Sequence, residues 1–124
     1  KDENEIIVCT HVTSPFLKNK TIKKAIKKLG KHDSVTSVTK HQEFSWILKH
    51  KKFFPINFNP KIVNKTQNLN PIYMSNGSFF IFKKKTFKRY NNRIGKKPFY
   101  YELKLPESIE IDNKEDLNLA RKIL

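Results

Sequence analysis

Apolar residues follow two rhythms along this chain. Ile6-Ile7-Val8-Cys9-Thr10 is a β-branched run without polar alternation, the pattern of a strand buried on both faces of a parallel sheet. It stops at His11-Val12-Thr13-Ser14-Pro15-Phe16, where Pro15 lacks an amide donor and biases Ser14 away from helical geometry. Ile22, Ala25, Ile26 and Leu29 then recur at i, i+3, i+4 and i+7 with lysines between them. That spacing predicts a helix, capped by Asn19 or Thr21 and stopped by a left-handed Gly30. Residues 33–39 are rich in Ser, Thr and Val and read as a second strand. Strand, loop, helix and strand together predict a βαβ unit with a right-handed crossover. The loop 11–16 then lies at the carboxyl end of a strand, where open α/β sheets bind ligands.

The segment from Lys40 to Pro71 is less regular. Pro55, Pro60 and Pro71 stand among Asn and aromatic residues, predicting loops and one hairpin. Ser78-Phe79-Phe80-Ile81-Phe82 is a dense apolar strand entered through Asn76-Gly77, a pair suited to positive φ. A short basic helix over residues 83–90 follows, then strands at 99–103 and 109–111. A closing helix at 114–124 has Leu117, Ala120 and Leu124 on one face. Asn113 caps it, with Glu115 and Asp116 at its positive end.

Length and charge refine this picture. The 124 residues suit one domain, 1–124, with no repeats or low-complexity linkers. Lys+Arg at 26 against Asp+Glu at 11 give a net +15, which points first to nucleic acid or an anionic membrane. Only Arg89, Arg93 and Arg121 are arginines, however, and specific phosphate or base recognition leans on the guanidinium fork. A lysine-coated surface explains the charge better, and nucleic-acid binding is the rival reading. No apolar run approaches the roughly 20 residues that cross a bilayer. The first residues lack a signal-peptide layout and Cys9 has no disulfide partner, which favours a reducing, cytoplasmic setting. The chain does not begin with Met, consistent with a piece of something longer.

Candidate chemistry is sparse. With three glycines, neither G-x-G-x-x-G nor a Walker loop can be built. His11, His32, His41 and His50 lack metal-ligand spacing, and Ser14 lacks the glycines of a nucleophile elbow. Cys9 reads as a small buried hydrophobe. The lysine-interleaved aromatics of residues 79–90 read as sheet core before a base-stacking platform. Glu110 and Asp112 are the informative pair: at i and i+2 of a strand both carboxylates face one side. At about 5 Å apart they repel by about 3 kcal/mol at an effective dielectric of about 20. A hard divalent cation turns that repulsion into attraction; the alternative is that one of the two points to solvent or caps the last helix.

Several short motifs occur in a specific order. Thr13-Ser14-Pro15-Phe16-Leu17 follows the first strand, then come residues 33–38, Thr66-Gln67-Asn68-Leu69, Asn76-Gly77-Ser78-Phe79-Phe80-Ile81, and Ser108-Ile109-Glu110-Ile111-Asp112 leading to Asp116-Leu117 and Ala120. The ordered set resembles the acylneuraminate cytidylyltransferases, which make CMP-sialic acid and related CMP-nonulosonic acids. The resemblance implies an α/β fold, a three-layer α/β sandwich with a mostly parallel Rossmann-like sheet of the nucleotide-diphospho-sugar transferase kind. It covers the carboxyl-terminal part of such a domain, incomplete at the N-terminus, so the phosphate loop of the family has no match here. A fragment of this kind would be inactive alone, and would leave the strand from Ile6 with a missing neighbour.

The resemblance also implies a reaction, in which the sugar acid attacks the α-phosphorus of CTP and pyrophosphate leaves with Mg²⁺ offsetting charge. Glu110 and Asp112 match the family's metal-holding acids, with Glu110 a departure from the usual Asp. His11 falls where many relatives place a sugar-contacting glutamine, and Gln67 matches a glutamine beside the sugar pocket. Thr66 replaces the arginine often found before it, so Arg93 becomes the candidate carboxylate clamp, reaching a neighbouring subunit. Tyr73 and Asn76 are further pocket candidates, with sheet-core or turn roles as alternatives. CTP, a nonulosonic acid and a homodimeric partner complete the expectation; an inactive remnant of the same fold is the other alternative.

Overall fold

The computed structural model describes residues 2–124, which divide into two compact units, residues 2–39 with Ser75–Leu124, and Lys40–Met74. The first is built on a four-stranded sheet. Its strands are β1 (Ile6–Thr10), β2 (Ser34–His41), β5 (Ile72–Lys83) and β6 (Pro98–Glu102), in the order β1-β5-β2-β6. β1 runs antiparallel to β5, from Ile6 opposite Lys83 to Thr10 opposite Phe79. β2 runs parallel to β6, from Ser34 opposite Pro98 to Val38 opposite Glu102. The sheet is therefore mixed.

Alternation along β5 supplies both faces of the core. Phe79 and Ile81 pack with Val35 and Leu103 against Ala25 of α1 (Asn19–Ile26) and Leu29 of the 3-10 turn Lys27–Gly30. Phe82 points to the opposite face and stacks on Phe87 of α2 (Lys84–Tyr90) at 5.9 Å. Helices thus flank both sides of the sheet, the layering of an α/β sandwich.

Four local expectations are corrected. β1 and β2 are not neighbours, because β5, with Phe79 to Phe82 all buried, takes the interior place between them. β1 is consequently an edge strand, with Ile6 and Val8 exposed rather than buried on both faces. Gly30 does not form a left-handed stop: α1 tightens into a 3-10 turn, and among the described glycines only Gly77 has positive φ. Neither Asn19 nor Thr21 caps α1. Lys18 stands at that position, its amide donating to Glu107 Oε2 at 3.2 Å.

α3 (Lys114–Ile123) begins as expected. Asn113 Oδ1 accepts from the Asp116 amide at 2.9 Å, and Asp116 Oδ2 accepts from the Asn113 amide at 3.3 Å, a reciprocal capping box. The loop between α2 and β6 is tied to the start of β2. Asp33 Oδ2 accepts the amides of Lys96 at 2.8 Å and Lys97 at 3.0 Å, and Ser34 Oγ accepts that of Gly95 at 2.9 Å. Burial works against the Asp33 charge, but the Lys97 amide, the Ser34 hydroxyl and the Lys96 amide outweigh it and hold the carboxyl below its ordinary range.

The second unit contains the hairpin β3 (Trp46–Lys49) and β4 (Lys52–Pro55), in register from Trp46 opposite Pro55 to Lys49 opposite Lys52. His50 and Lys51 turn it with φ of 50° and 64°, a two-residue reversal made without glycine. Phe58 meets Phe44 and Trp46 edge-on, both at 5.1 Å. Asn57 links the amide of Ser45 to the carbonyls of Glu43 and Asn70.

Candidate active site

The loop after β1 is bound to β5 from its first residue. The His11 amide donates to the Ser78 carbonyl at 3.2 Å, and Ser14 Oγ donates to Ser78 Oγ at 3.0 Å in a buried contact. Turn bonds from Ser14 to His11 and from Leu17 to Ser14 curl the loop, and the Thr13 carbonyl accepts the Ile111 amide at 2.9 Å. That bond brings in the acidic segment.

Residues 109–111 do not form the expected strand. Ile111 makes one backbone bond to Thr13, while Ser108 and Ile109 bond backwards to Lys104 and Pro106, so the chain turns before any ladder can form. Glu110 is half-buried and Asp112 exposed, but the charge of one still acts on the other. Burial pushes the Glu110 carboxyl above its ordinary range, the charge of Asp112 pushes it further, and His11 draws it back. Asp112 is held from the other side, its amide donating to Asp116 Oδ2 at 3.0 Å. The capping box of α3 therefore also fixes the approach of this segment.

Gly77 and Asn76 form the floor. Gly77 has φ of +68°, and a Cβ there would stand 3.2 Å from Glu110 Oε1 and 3.7 Å from His11 Nδ1. Its neighbour Asn76 accepts from Ser37 Oγ at 2.6 Å and from the Ser78 amide at 3.2 Å, and donates to Thr39 Oγ1 at 2.9 Å. Ser37 Oγ in turn accepts the Phe79 amide at 3.1 Å. The Asn76 side chain thus joins β5 to β2 and holds the backbone that supports Gly77.

Arg93 lies over the ring of Phe80, 4.0 Å from its centroid, and the His11 ring lies 6.3 Å from that same centroid. Phe80 therefore connects a guanidinium to the His11 end of the site within one chain. Gln67 and Tyr73 belong to the second unit. Gln67 is exposed on the 3-10 turn Thr66–Asn68, its carbonyl accepting from Gln42 Nε2 at 2.9 Å, and Tyr73 is exposed near the start of β5. The structure thus brings Glu110 and His11 together at Gly77 beside Asn76, leaves Asp112 exposed two residues on with its charge acting on Glu110, and sets Arg93 against Phe80.

Phe80 and Gly77 are the participants that sequence reasoning did not assign to the site. The Asn76-Gly77 pair was a signal for positive φ, but nothing in the pattern said what would face it. No group of three or more His, Cys, Asp or Glu gathers among the described residues. Glu110 and Asp112 still suit Mg²⁺ by their chemistry, because that ion is commonly held by one or two carboxylates with water and substrate phosphates completing the shell. No helix among the described residues is long and apolar enough to cross a membrane.

Comparison with known proteins bears on this geometry. A profile described as cytidylyltransferase matches residues 1–123. The N-acylneuraminate cytidylyltransferase of Streptococcus agalactiae serotype III is 28% identical over 120 residues, covering 93% of this chain and 29% of that protein. N-acylneuraminate cytidylyltransferase A of Danio rerio is 32% identical over 126 residues, covering 97% and 29%. The chain thus spans under a third of these relatives' length. Among solved structures, a 4-diphosphocytidyl-2C-methyl-D-erythritol synthase from Anaerococcus prevotii has the same fold, with a TM-score of 0.68 and 16% identity over 96% of this chain and 58% of that one.

Proposed function

The chain belongs to the cytidylyltransferase family, and from that premise we propose that it is part of an enzyme transferring CMP from CTP to a nonulosonic, sialic-type sugar acid. In this reaction a sugar hydroxyl oxygen bonds to the α-phosphorus of CTP while the bond to pyrophosphate breaks. The choice of acid is supported by the relatives named as acting on N-acylneuraminate. The observation that carries the reading is the meeting of Glu110 with His11 over Gly77, at the end of β1, with the Asp112 charge acting on Glu110.

Glu110 and Asp112 would hold Mg²⁺, which when bound offsets charge on the triphosphate. Burial first, and then the Asp112 charge, raise the Glu110 carboxyl, and a bound cation would relieve the like-charge part. His11 and Arg93, both set against Phe80, are the side chains we assign to the sugar acid, with Arg93 suited to its carboxylate by its planar donor fork. Asn76 positions rather than binds, since its carbonyl accepts twice and its amide already donates to Thr39. Gln67 and Tyr73 are exposed side chains of the second unit, and no role is assigned to them.

A homodimer is part of the proposal. Every residue of the β3–β4 hairpin is exposed, Trp46, Ile47, Leu48, Phe53 and Phe54 among them, and apolar surface of that kind marks association. We assign the enzyme to the cytoplasm, where Cys9 stays reduced.

The test is turnover by the full protein containing this chain, supplied with CTP, Mg²⁺ and eight- or nine-carbon α-keto sugar acids. CMP-sugar and pyrophosphate are expected in equal amounts. Asp112→Asn should lower kcat by about a hundredfold, if it removes about 2.7 kcal/mol of transition-state stabilisation, with an unchanged melting curve. No CMP-sugar from any such acid would overturn the assignment.

A further inference from the structure

We propose that Gly77 is a positioning residue of this site, the absence of its Cβ leaving the space in which the Glu110 carboxylate and the His11 ring settle against β5. The inference rests on the reading of Glu110 and Asp112 as the metal pair. Three observations carry it. Gly77 lies within a strand, where glycine weakens pairing and packs nothing, so its presence there marks a bend or a close approach. A Cβ would stand 3.2 Å from Glu110 Oε1, tighter than ordinary contact, so that the carboxylate must give by a few tenths of an ångström, while His11 Nδ1 and Cε1 at 3.7 and 3.8 Å stay in ordinary contact. The backbone at this point is held independently of both groups, because Asn76 Oδ1 accepts the Ser78 amide across Gly77 and the Ser37 hydroxyl from β2.

The other glycines make the contrast. Gly30 has nothing within 4 Å of a built Cβ, and Gly95 faces Asp33, the carboxylate that anchors its own loop. Only Gly77 opens toward Glu110 and His11. Yielding there means rotating Glu110 away, since the Gly77 backbone is pinned by Asn76 and the His11 amide by Ser78.

The experiment separates bulk from backbone strain. Mn²⁺, a probe for the carboxylate pair, is titrated into the wild-type protein, Gly77→Ala, Gly77→Asn, Glu110→Asp, the double variant Gly77→Asn with Glu110→Asp, and Gly30→Ala. Asn tolerates the left-handed conformation, so Gly77→Asn adds a Cβ with less strain and serves if Gly77→Ala does not fold. Affinity for Mn²⁺ should fall about tenfold in both Gly77 variants, the scale seen when residues that orient metal ligands are changed. It should stay at the wild-type value in Gly30→Ala and recover most of the loss when Glu110→Asp shortens the arm. Wild-type affinity in Gly77→Asn, or no recovery in the double variant, would overturn the proposal. If the wild type itself does not bind Mn²⁺, the metal reading fails, and the side-chain couplings of Glu110 decide the question. A changed rotamer in Gly77→Asn supports the positioning role, and an unchanged one overturns it.

Discussion

Two β segments of this protein are almost equally apolar and have opposite fates. Phe79-Phe80-Ile81-Phe82 of β5 is buried throughout, while every residue of the β3–β4 hairpin, with Trp46, Ile47, Leu48, Phe53 and Phe54, is exposed. Strand propensity does not separate them. What separates them is layering: β5 has β1 on one side, β2 on the other and helical residues against both faces, whereas the hairpin is a sheet of two strands. A two-stranded sheet has marginal stability alone. Apolar content in the first case does the work of folding, and in the second it stays exposed in the single chain.

The sharpest way to break this comparison is Phe79→Ala. Phe79 is fully buried among Val35, Ile81, Leu29 and Ala25, and meets Tyr101 at 5.9 Å. Removing the ring should cost about 3–5 kcal/mol, through lost transfer energy and the cavity left behind. Against a typical total of about 5–15 kcal/mol this is a large fraction. Urea unfolding followed by circular dichroism should show the midpoint collapse; a midpoint within experimental error of wild type would mean that β5 is not the centre of the core.

A smaller effect is expected where β5 is polar. At its entry, Asn76 takes part in three hydrogen bonds, with Ser37, Ser78 and Thr39, in a region where apolar packing gives way to the site. Asn76→Ala leaves partly buried donors and acceptors without partners, at a cost of about 1–3 kcal/mol. It should also loosen Gly77 and with it the Glu110 contact. Thermal unfolding would measure the first effect and amide exchange at residues 76–79 the second. An unchanged melt with unchanged exchange would show that Asn76 does not hold the floor.

The legibility of these features in the sequence follows the range of the forces that make them. The helical spacing of Ile22, Ala25, Ile26 and Leu29, the Asn113 cap and the basic helix after Phe82 are local, and all appear where the pattern places them, within a few residues. The acidic pair was legible as two carboxylates two residues apart, but its strand was not real. Pairing is a long-range decision, and the turn bonds at Ser108 and Ile109 settle it otherwise. Strand order was likewise invisible: nothing in Ile6-Ile7-Val8 says that β5, over sixty residues away, will come between it and β2. The meeting of His11, Gly77 and Glu110 depends on that same arrangement. So does the placing of Arg93 on Phe80, which required the Asp33 anchor of its loop.

The hairpin supplies the smallest expected change in folding and so the finest test of the comparison. Phe53 is 71% exposed, so its ring is largely in water in the single chain, and Phe53→Ala should change folding stability at low concentration by no more than about 0.5 kcal/mol. Phe53 is nonetheless paired with Leu48 in a ribbon whose residues are all exposed. If that ribbon is the surface on which two copies meet, deleting the ring removes buried area only in the dimer, at about 25 cal/mol per Å² of apolar surface. The effect must then depend on concentration: sedimentation equilibrium should show weaker self-association, and the difference in melting temperature between variant and wild type should widen as protein is added. A difference that is small and constant across concentration would mean that the hairpin is exposed in the assembled protein too. Its apolar residues would then serve something other than a second copy of this chain.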